Sequence, residues 1–225
     1  MKLKLFSYII AMVVVLSACE YDNHEPPKAM FTGKIVYQDQ AIGVRSSGVE
    51  LELWQPGYPV LQKIPVFVDQ EGAFSAMVFD GSYKLTLLRG NGPWVDNTDT
   101  INVEVRGATV VEVPVQPYYV IRNEQFQSSG DAVTATLNVE EVTPGAQVER
   151  VTFYIGTTTI VDANNFAAAT DIWGPDAEAL SAPLSLSINL PGELAGREYV
   201  FARVGVKMAG VQEMIYSQVQ KIELK

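Results

Sequence analysis

The seven residues Leu184-Ser-Leu-Ser-Ile-Asn-Leu190 alternate apolar and polar without interruption. Successive side chains of a strand point to opposite faces, so Leu184, Leu186, Ile188 and Leu190 are expected to share one buried face. The same rhythm runs through the chain. Val49-Glu-Leu-Glu-Leu-Trp54 puts Val49, Leu51 and Leu53 inward, and Phe31–Tyr37, Ala73–Phe79, Tyr83–Leu88, Ile101–Val105 and Thr109–Val115 read as further strands. Between them stand the turn signals Asp69-Gln-Glu-Gly72, Asp80-Gly81 and Arg106-Gly107, where glycine accepts a positive φ. The second half repeats the pattern with Ala132–Val139, Gln147–Ile155 and a closing edge strand over Tyr216–Leu224. No segment of the first half carries a 3.6-residue period. The sequence therefore predicts an all-β chain of two consecutive β-sandwiches, residues 28–119 and 120–225, with Pro114, Pro117 and Tyr118-Tyr119 marking the crossing. One stretch departs from the rhythm: Asp162–Ala182, with Ala167 to Ala169, Trp173 and Asp176-Ala-Glu-Ala-Leu180, is expected as a long loop carrying a helical turn. Hydrophobic residues at 48% and aromatics at 10%, against 19% charged, supply a core for each half.

The amino terminus reads differently. Lys2 and Lys4 precede an apolar run from Leu5 to Leu16, and small residues follow at Ser17 and Ala18. About 12 apolar residues are too few to span a bilayer, which needs about 20, and suit a cleaved secretory signal over residues 1–18. Leu16-Ser17-Ala18-Cys19 resembles the lipobox of bacterial lipoproteins. That resemblance implies cleavage before Cys19, acylation of its sulfur and amino group, and an anchor in outer-membrane lipid. An ordinary secretory leader with an incidental cysteine is the alternative. Residues 19–27 then form a polar tether with Glu20, Asp22, Glu25 and the Pro26-Pro27 pair. Its acidic cluster resembles the surface-export signal of Bacteroidetes lipoproteins, which implies a protein facing the cell exterior. Cys19 is the only cysteine, so no intramolecular disulfide can form. Net charge is −10, and loss of the first 18 residues leaves 14 basic against 26 acidic side chains, or −12. Such a surface repels phosphate backbones, which argues against nucleic acid as a partner.

Gly33-Lys-Ile-Val, Gly48-Val-Glu-Leu-Glu-Leu, Asp69-Gln-Glu-Gly-Ala-Phe74 and Gly81-Ser-Tyr-Lys-Leu85 resemble, in order and spacing, the transthyretin or carboxypeptidase-regulatory sandwich. Leu190-Pro-Gly192 followed by Tyr199, Arg203, Val204 and Val206 resembles a fibronectin type III or immunoglobulin-like domain. That likeness implies a tyrosine corner at Tyr199, its hydroxyl bonded to upstream backbone. With the lipobox and the Pro117-Tyr118-Tyr119 border, the whole chain is similar to the DUF3823 family of Bacteroidetes lipoproteins. The resemblance supplies no catalytic residue. It implies a setting beside outer-membrane glycan-uptake systems of the SusC/SusD type, with transporter or glycan-binding proteins as partners.

The only histidine, His24, lies in the tether, so the folded part has no Ser-His-Asp triad, Cys-His nucleophile or HExxH zinc site. A carboxylate pair is a three-dimensional quantity that 26 acids leave open, but two small sandwiches seldom build the cleft it needs, and no enzyme is expected. Asp96, Asn97 and Asp99 offer oxygens to calcium, or serve as turn-forming residues beside Gly92-Pro93. Trp94 and Trp173 are the candidate sugar-stacking faces, Trp94 with Asn91 and Asp96 beside it to bond hydroxyls; their alternative is packing at the sandwich ends. Trp54, ending an inward-facing strand, reads as packing. The leading expectation is a non-catalytic accessory or interaction module of a glycan-uptake system. Direct oligosaccharide binding through loop aromatics is the second. An adhesin or fimbrial subunit is the third, requiring an exchangeable edge over Tyr216–Leu224.

Overall fold

The computed structural model describes residues 25–57 and 59–224; the leader and Cys19 lie outside them. The first half contains β1 (Ala29–Tyr37), β2 (Gln40–Ala41), β3 (Glu50–Trp54), β4 (Lys63–Phe67), β5 (Ala73–Val78), β6 (Gly81–Leu87), β7 (Ile101–Val105) and β8 (Ala108–Pro114). The central strand β1 pairs antiparallel with β5 and then β2 along one side and parallel with β8 along the other. The facing sheet is antiparallel in the order β4-β3-β6-β7. Phe31, Ile35, Leu51, Leu53, Tyr83 and Leu85 alternate inward from the two sheets and fill the space between them.

The second half contains β9 (Tyr119–Ser129), β10 (Ala132–Glu141), β11 (Val148–Gly156), β12 (Ala168–Trp173), a one-turn helix α1 (Ala177–Leu180), β13 (Leu184–Asn189), a second turn α2 (Gly192–Ala195), β14 (Tyr199–Met208), β15 (Ile215–Tyr216) and β16 (Gln220–Glu223). One sheet runs β13-β10-β9 and the other β12-β11-β14, with β15 and β16 both on β14. All-β organisation in two sandwiches is as the alternation predicts. Leu184, Leu186 and Ile188 are buried, with the serines and asparagine between them exposed.

The Asp162–Ala182 stretch is corrected in part: the expected helical turn stands at Ala177–Leu180, but Ala168–Trp173 is an edge strand laid along β11, Ile155 facing Ala168 and Arg150 facing Trp173. Alanine is a poor strand former, and only the partner strand imposes the conformation. The closing strand is broken between Tyr216 and Gln220, and the Tyr216 N–H donates to the Gly43 carbonyl of the first half, so its first part is no free edge. Tyr199 is a second correction: its ring lies 4.0 Å below the Lys221 ammonium and edge-on to Phe201, partly exposed. In this half a hydroxyl-to-backbone tie is made by Tyr119, which donates to the Ala146 carbonyl at 2.7 Å, and Tyr83 makes one in the first half, to the Phe79 carbonyl at 3.0 Å.

Val151, Phe153 and Ile155 of β11 point into the second sandwich, so Arg150, Thr152 and Tyr154 point out of it, beside Lys207, Gly205 and Arg203 of β14. Arg203 is nevertheless completely buried, because the first half docks over this outer face. Its guanidinium donates to four backbone carbonyls: Nε to Ser217 at 2.9 Å, Nη1 to Val161 at 3.0 Å, and Nη2 to Val44 at 3.0 Å and Gln70 at 2.5 Å. Two of these belong to each half. The Tyr216 ring lies 4.5 Å from the guanidinium carbon, and an Arg45–Glu213 ion pair of 2.6 Å closes the rim. Burial lowers Arg203 to about 10, which leaves it protonated at neutral pH.

Burial also pushes the Tyr216 phenol well above its ordinary value. An unfolded tyrosine ionises near pH 10, so the folded state keeps Tyr216 neutral where the unfolded chain does not. That contribution is fully present below about pH 10 and is lost as pH rises toward the folded value. Urea midpoints at pH 9 and pH 11 are therefore expected to fall less for Tyr216→Phe than for the wild type. Equal falls would contradict this account.

Candidate functional site

Residues 88–99 form the loop that joins β6 towards β7, and its candidates are largely committed to the fold. Trp94 is 4% exposed. It bridges Pro117 through backbone, and its ring lies so close over Gly92 that a β-carbon there would stand 2.1 Å from it. Trp94 therefore offers no open face and leaves the candidate sugar platform. Asn91 Oδ1 accepts from the Glu50 N–H at 2.6 Å and its Nδ2 donates to the Gly48 carbonyl at 3.1 Å. Asp96 Oδ1 accepts from the Gly90 N–H at 2.6 Å, and Asn97 Oδ1 from the Asp99 N–H at 2.7 Å. These are turn and strap contacts. Among the described residues no three His, Cys, Asp or Glu side chains gather as a metal site, and one oxygen each of Asp96 and Asn97, offered above to calcium, accepts a backbone N–H. Trp54 donates from Nε1 to Thr86 Oγ1 at 3.2 Å, half-buried on its sheet.

Trp173 is placed oppositely. It ends β12, the edge of its sheet, and is 64% exposed. Cross-strand pairing sets Arg150 directly opposite it and Asp171 opposite Thr152, all on the outward face. The Arg150 guanidinium carbon lies 5.0 Å from the indole centroid. Arg150 Nη1 also pairs with Glu149 at 3.0 Å, its Nε lies 4.0 Å from Asp171, and Asp171 accepts the Thr152 hydroxyl. The result is a flat aromatic face beside a forked donor and a carboxylate, on strands rather than a loop, with the buried Thr152 hydroxyl holding Asp171 in place from beneath. Such a surface stacks on the apolar face of a sugar ring and bonds its hydroxyls from the side. Arg150, Thr152 and Asp171 were not singled out from sequence. The alternation of Gln147–Ile155 does put Arg150 and Thr152 on one face, but nothing local shows that β12 lies next to them.

A second recess, about 600 Å³, opens where the halves meet and is lined by Gln40, Glu71, Arg122, Asn123, Glu124 and Gln218. Asn123 sits there at φ +53° in a bulge of β9, and Arg122 is engaged by Gln40, Gln38 and Glu140. No helix among the described residues is long and apolar enough to cross a membrane.

The fold and the exposed face define a two-sandwich module whose second half has the strand arrangement of a fibronectin type III domain: β9, β10 and β13 on one sheet, β12, β11, β14, β15 and β16 on the other. The chain belongs to the DUF3823 family. Residues 29–116 match the model described as protein of unknown function (DUF3823) N-terminal domain, and residues 119–221 match the domain of unknown function DUF3823_C. A DUF3823 family protein from Bacteroides ovatus is 38% identical with a TM-score of 0.82, and one from Parabacteroides merdae is 35% identical with a TM-score of 0.81. A protein from Bacteroides uniformis, provisionally described as carbohydrate binding, shares the fold at 17% identity and a TM-score of 0.71. Each alignment covers 88% of this chain and 100% of the other. No curated protein matches the chain.

Proposed function

We propose that the protein is a non-catalytic surface lipoprotein, anchored through Cys19 in the outer membrane and facing the exterior, that serves a SusC/SusD-type glycan-uptake system by contacting sugar chains with its second sandwich. The observation that carries this reading is Trp173, a large aromatic left exposed on a paired edge strand with Arg150 and Asp171 beside it. Two further points support it: the setting beside such systems that the family resemblance implies, and the carbohydrate-binding description of the Bacteroides uniformis protein of the same fold.

A glycan array on the chain from Glu20, followed by titration calorimetry on the best ligand, is the test. Trp173→Ala is expected to weaken binding about tenfold or more, since losing a central aromatic contact costs roughly 2 kcal/mol and 1.4 kcal/mol is tenfold. Stability should stay within about 0.5 kcal/mol of the wild type, because the side chain is at the surface. An array with no hit, or a ligand bound equally well by Trp173→Ala, would overturn the reading.

A further inference from the structure

An apolar strip on the first half lies on the face that the tether leaves. A groove of about 430 Å³ is lined by Val60, Ile64, Met77, Phe79 and Tyr83, and by Pro27, the last tether residue. Val60 is 68% and Met77 59% exposed, and Leu61 beside Val60 is equally open. Met30 stands directly across the ladder from Met77 on the same outward face of β1 and continues the strip. Scattered apolar residues on a surface are ordinary, but a contiguous set of long flexible ones marks a contact surface.

We propose that this strip docks on the lipid bilayer surface, with Val60, Leu61, Met77 and Phe79 entering the headgroup region. The proposal rests on the reading of Cys19 as the acylated residue, because the tether decides the occupant. Eight residue steps separate Cys19 from Pro27, a reach of about 25–29 Å even fully extended. The groove that Pro27 enters is thereby held within one tether length of the lipid it is anchored in. Residues 20–24, Glu-Tyr-Asp-Asn-His, offer one aromatic ring between two acids, too little apolar surface to cover the strip themselves. Attachment here needs no basic patch: apolar side chains at the interface add to the acyl anchor in proportion to the area they bury, which suits a chain left with 14 basic against 26 acidic side chains.

The test uses the chain from position 19 with Cys19→Ser and an amino-terminal hexahistidine tag, held on phosphatidylcholine vesicles doped with nickel-chelating lipid. With the native cysteine removed, Val60→Cys, Met77→Cys or Ser187→Cys carries one environment-sensitive dye; Ser187 is exposed on β13 of the other half. The labels at 60 and 77 are expected to shift to the blue and lose most of their emission to brominated acyl chains, and the label at 187 to do neither. Equal, weak quenching at all three positions would overturn the docking, including the case in which the strip instead receives a protein. Mass analysis of the protein from its own membrane reports separately whether Cys19 carries acyl chains. A missing acyl group sinks the anchor reading, and the quenching pattern still judges the strip.

Discussion

Arg203→Leu is expected to melt about 6–12 °C below the wild type, a loss of roughly 3 kcal/mol at two to four degrees per kcal/mol for a chain of this size. The four carbonyls it serves lie in four separate segments, at Val44, Gln70, Val161 and Ser217. Each bond to a charged donor contributes about 1.5–3 kcal/mol. Against their sum stands the desolvation of a guanidinium, several kcal/mol, which leucine does not suffer. The balance stays unfavourable to the variant because leucine leaves four carbonyl oxygens around the buried position without their donor. Arg203→Lys should fall between the two, since an ammonium keeps the charge but cannot span four acceptors with a planar fork. Scanning calorimetry reads the effect, and a wild-type midpoint for Arg203→Leu would mean that the junction is held by its apolar contacts alone.

Gly33→Val is expected to cost about 3 kcal/mol or more, at the upper end for overpacking. Gly33 lies mid-way along β1, and a β-carbon there would stand 2.1 Å from the Val111 carbonyl oxygen and 2.4 Å from the Phe74 ring. Neither can retreat. Val111 belongs to the parallel ladder of β8 on β1, and Phe74 is packed against Phe31 with ring centroids 5.5 Å apart. The glycine is needed for close approach, not for an unusual φ, so even Gly33→Ala should lower the urea midpoint clearly. A wild-type midpoint for the valine variant would show that β1 and β8 can part at small cost.

How much of this was legible from sequence depends on whether its cause is local. The strands of Leu184–Asn189 and Glu50–Trp54 follow from alternation, which a single face of burial enforces. The β12 strand was hidden because Ala168 and Ala169 carry no strand preference, and only the register with Ile155 and Tyr154 places them. Trp94 and Trp173 show the same divide at the candidate site. Both stand among polar and glycine-rich neighbours, yet one is closed in by Gly92 and Pro117 and the other stays open to solvent beside Arg150. The role of Arg203 was least visible, since Val44 is 159 positions away from it and alternation alone assigns its side chain to an outward face.

The parallel pairing of β8 with β1 also has a kinetic consequence. Met30 meets Ala108 and Val36 meets Pro114, so in a chain that emerges amino terminus first β1 waits until residues about 78 positions later have followed. Pairing across such a separation must close a long loop before it gains anything, and is slow. Arg203 waits longer still, for Ser217. During that interval the edge of β1 and the strip around Met30 and Met77 are open to other chains. Such a delay favours a holding partner that masks β1 until Ala108–Pro114 arrives, and the step most exposed to aggregation is closure of the first sandwich, not the second.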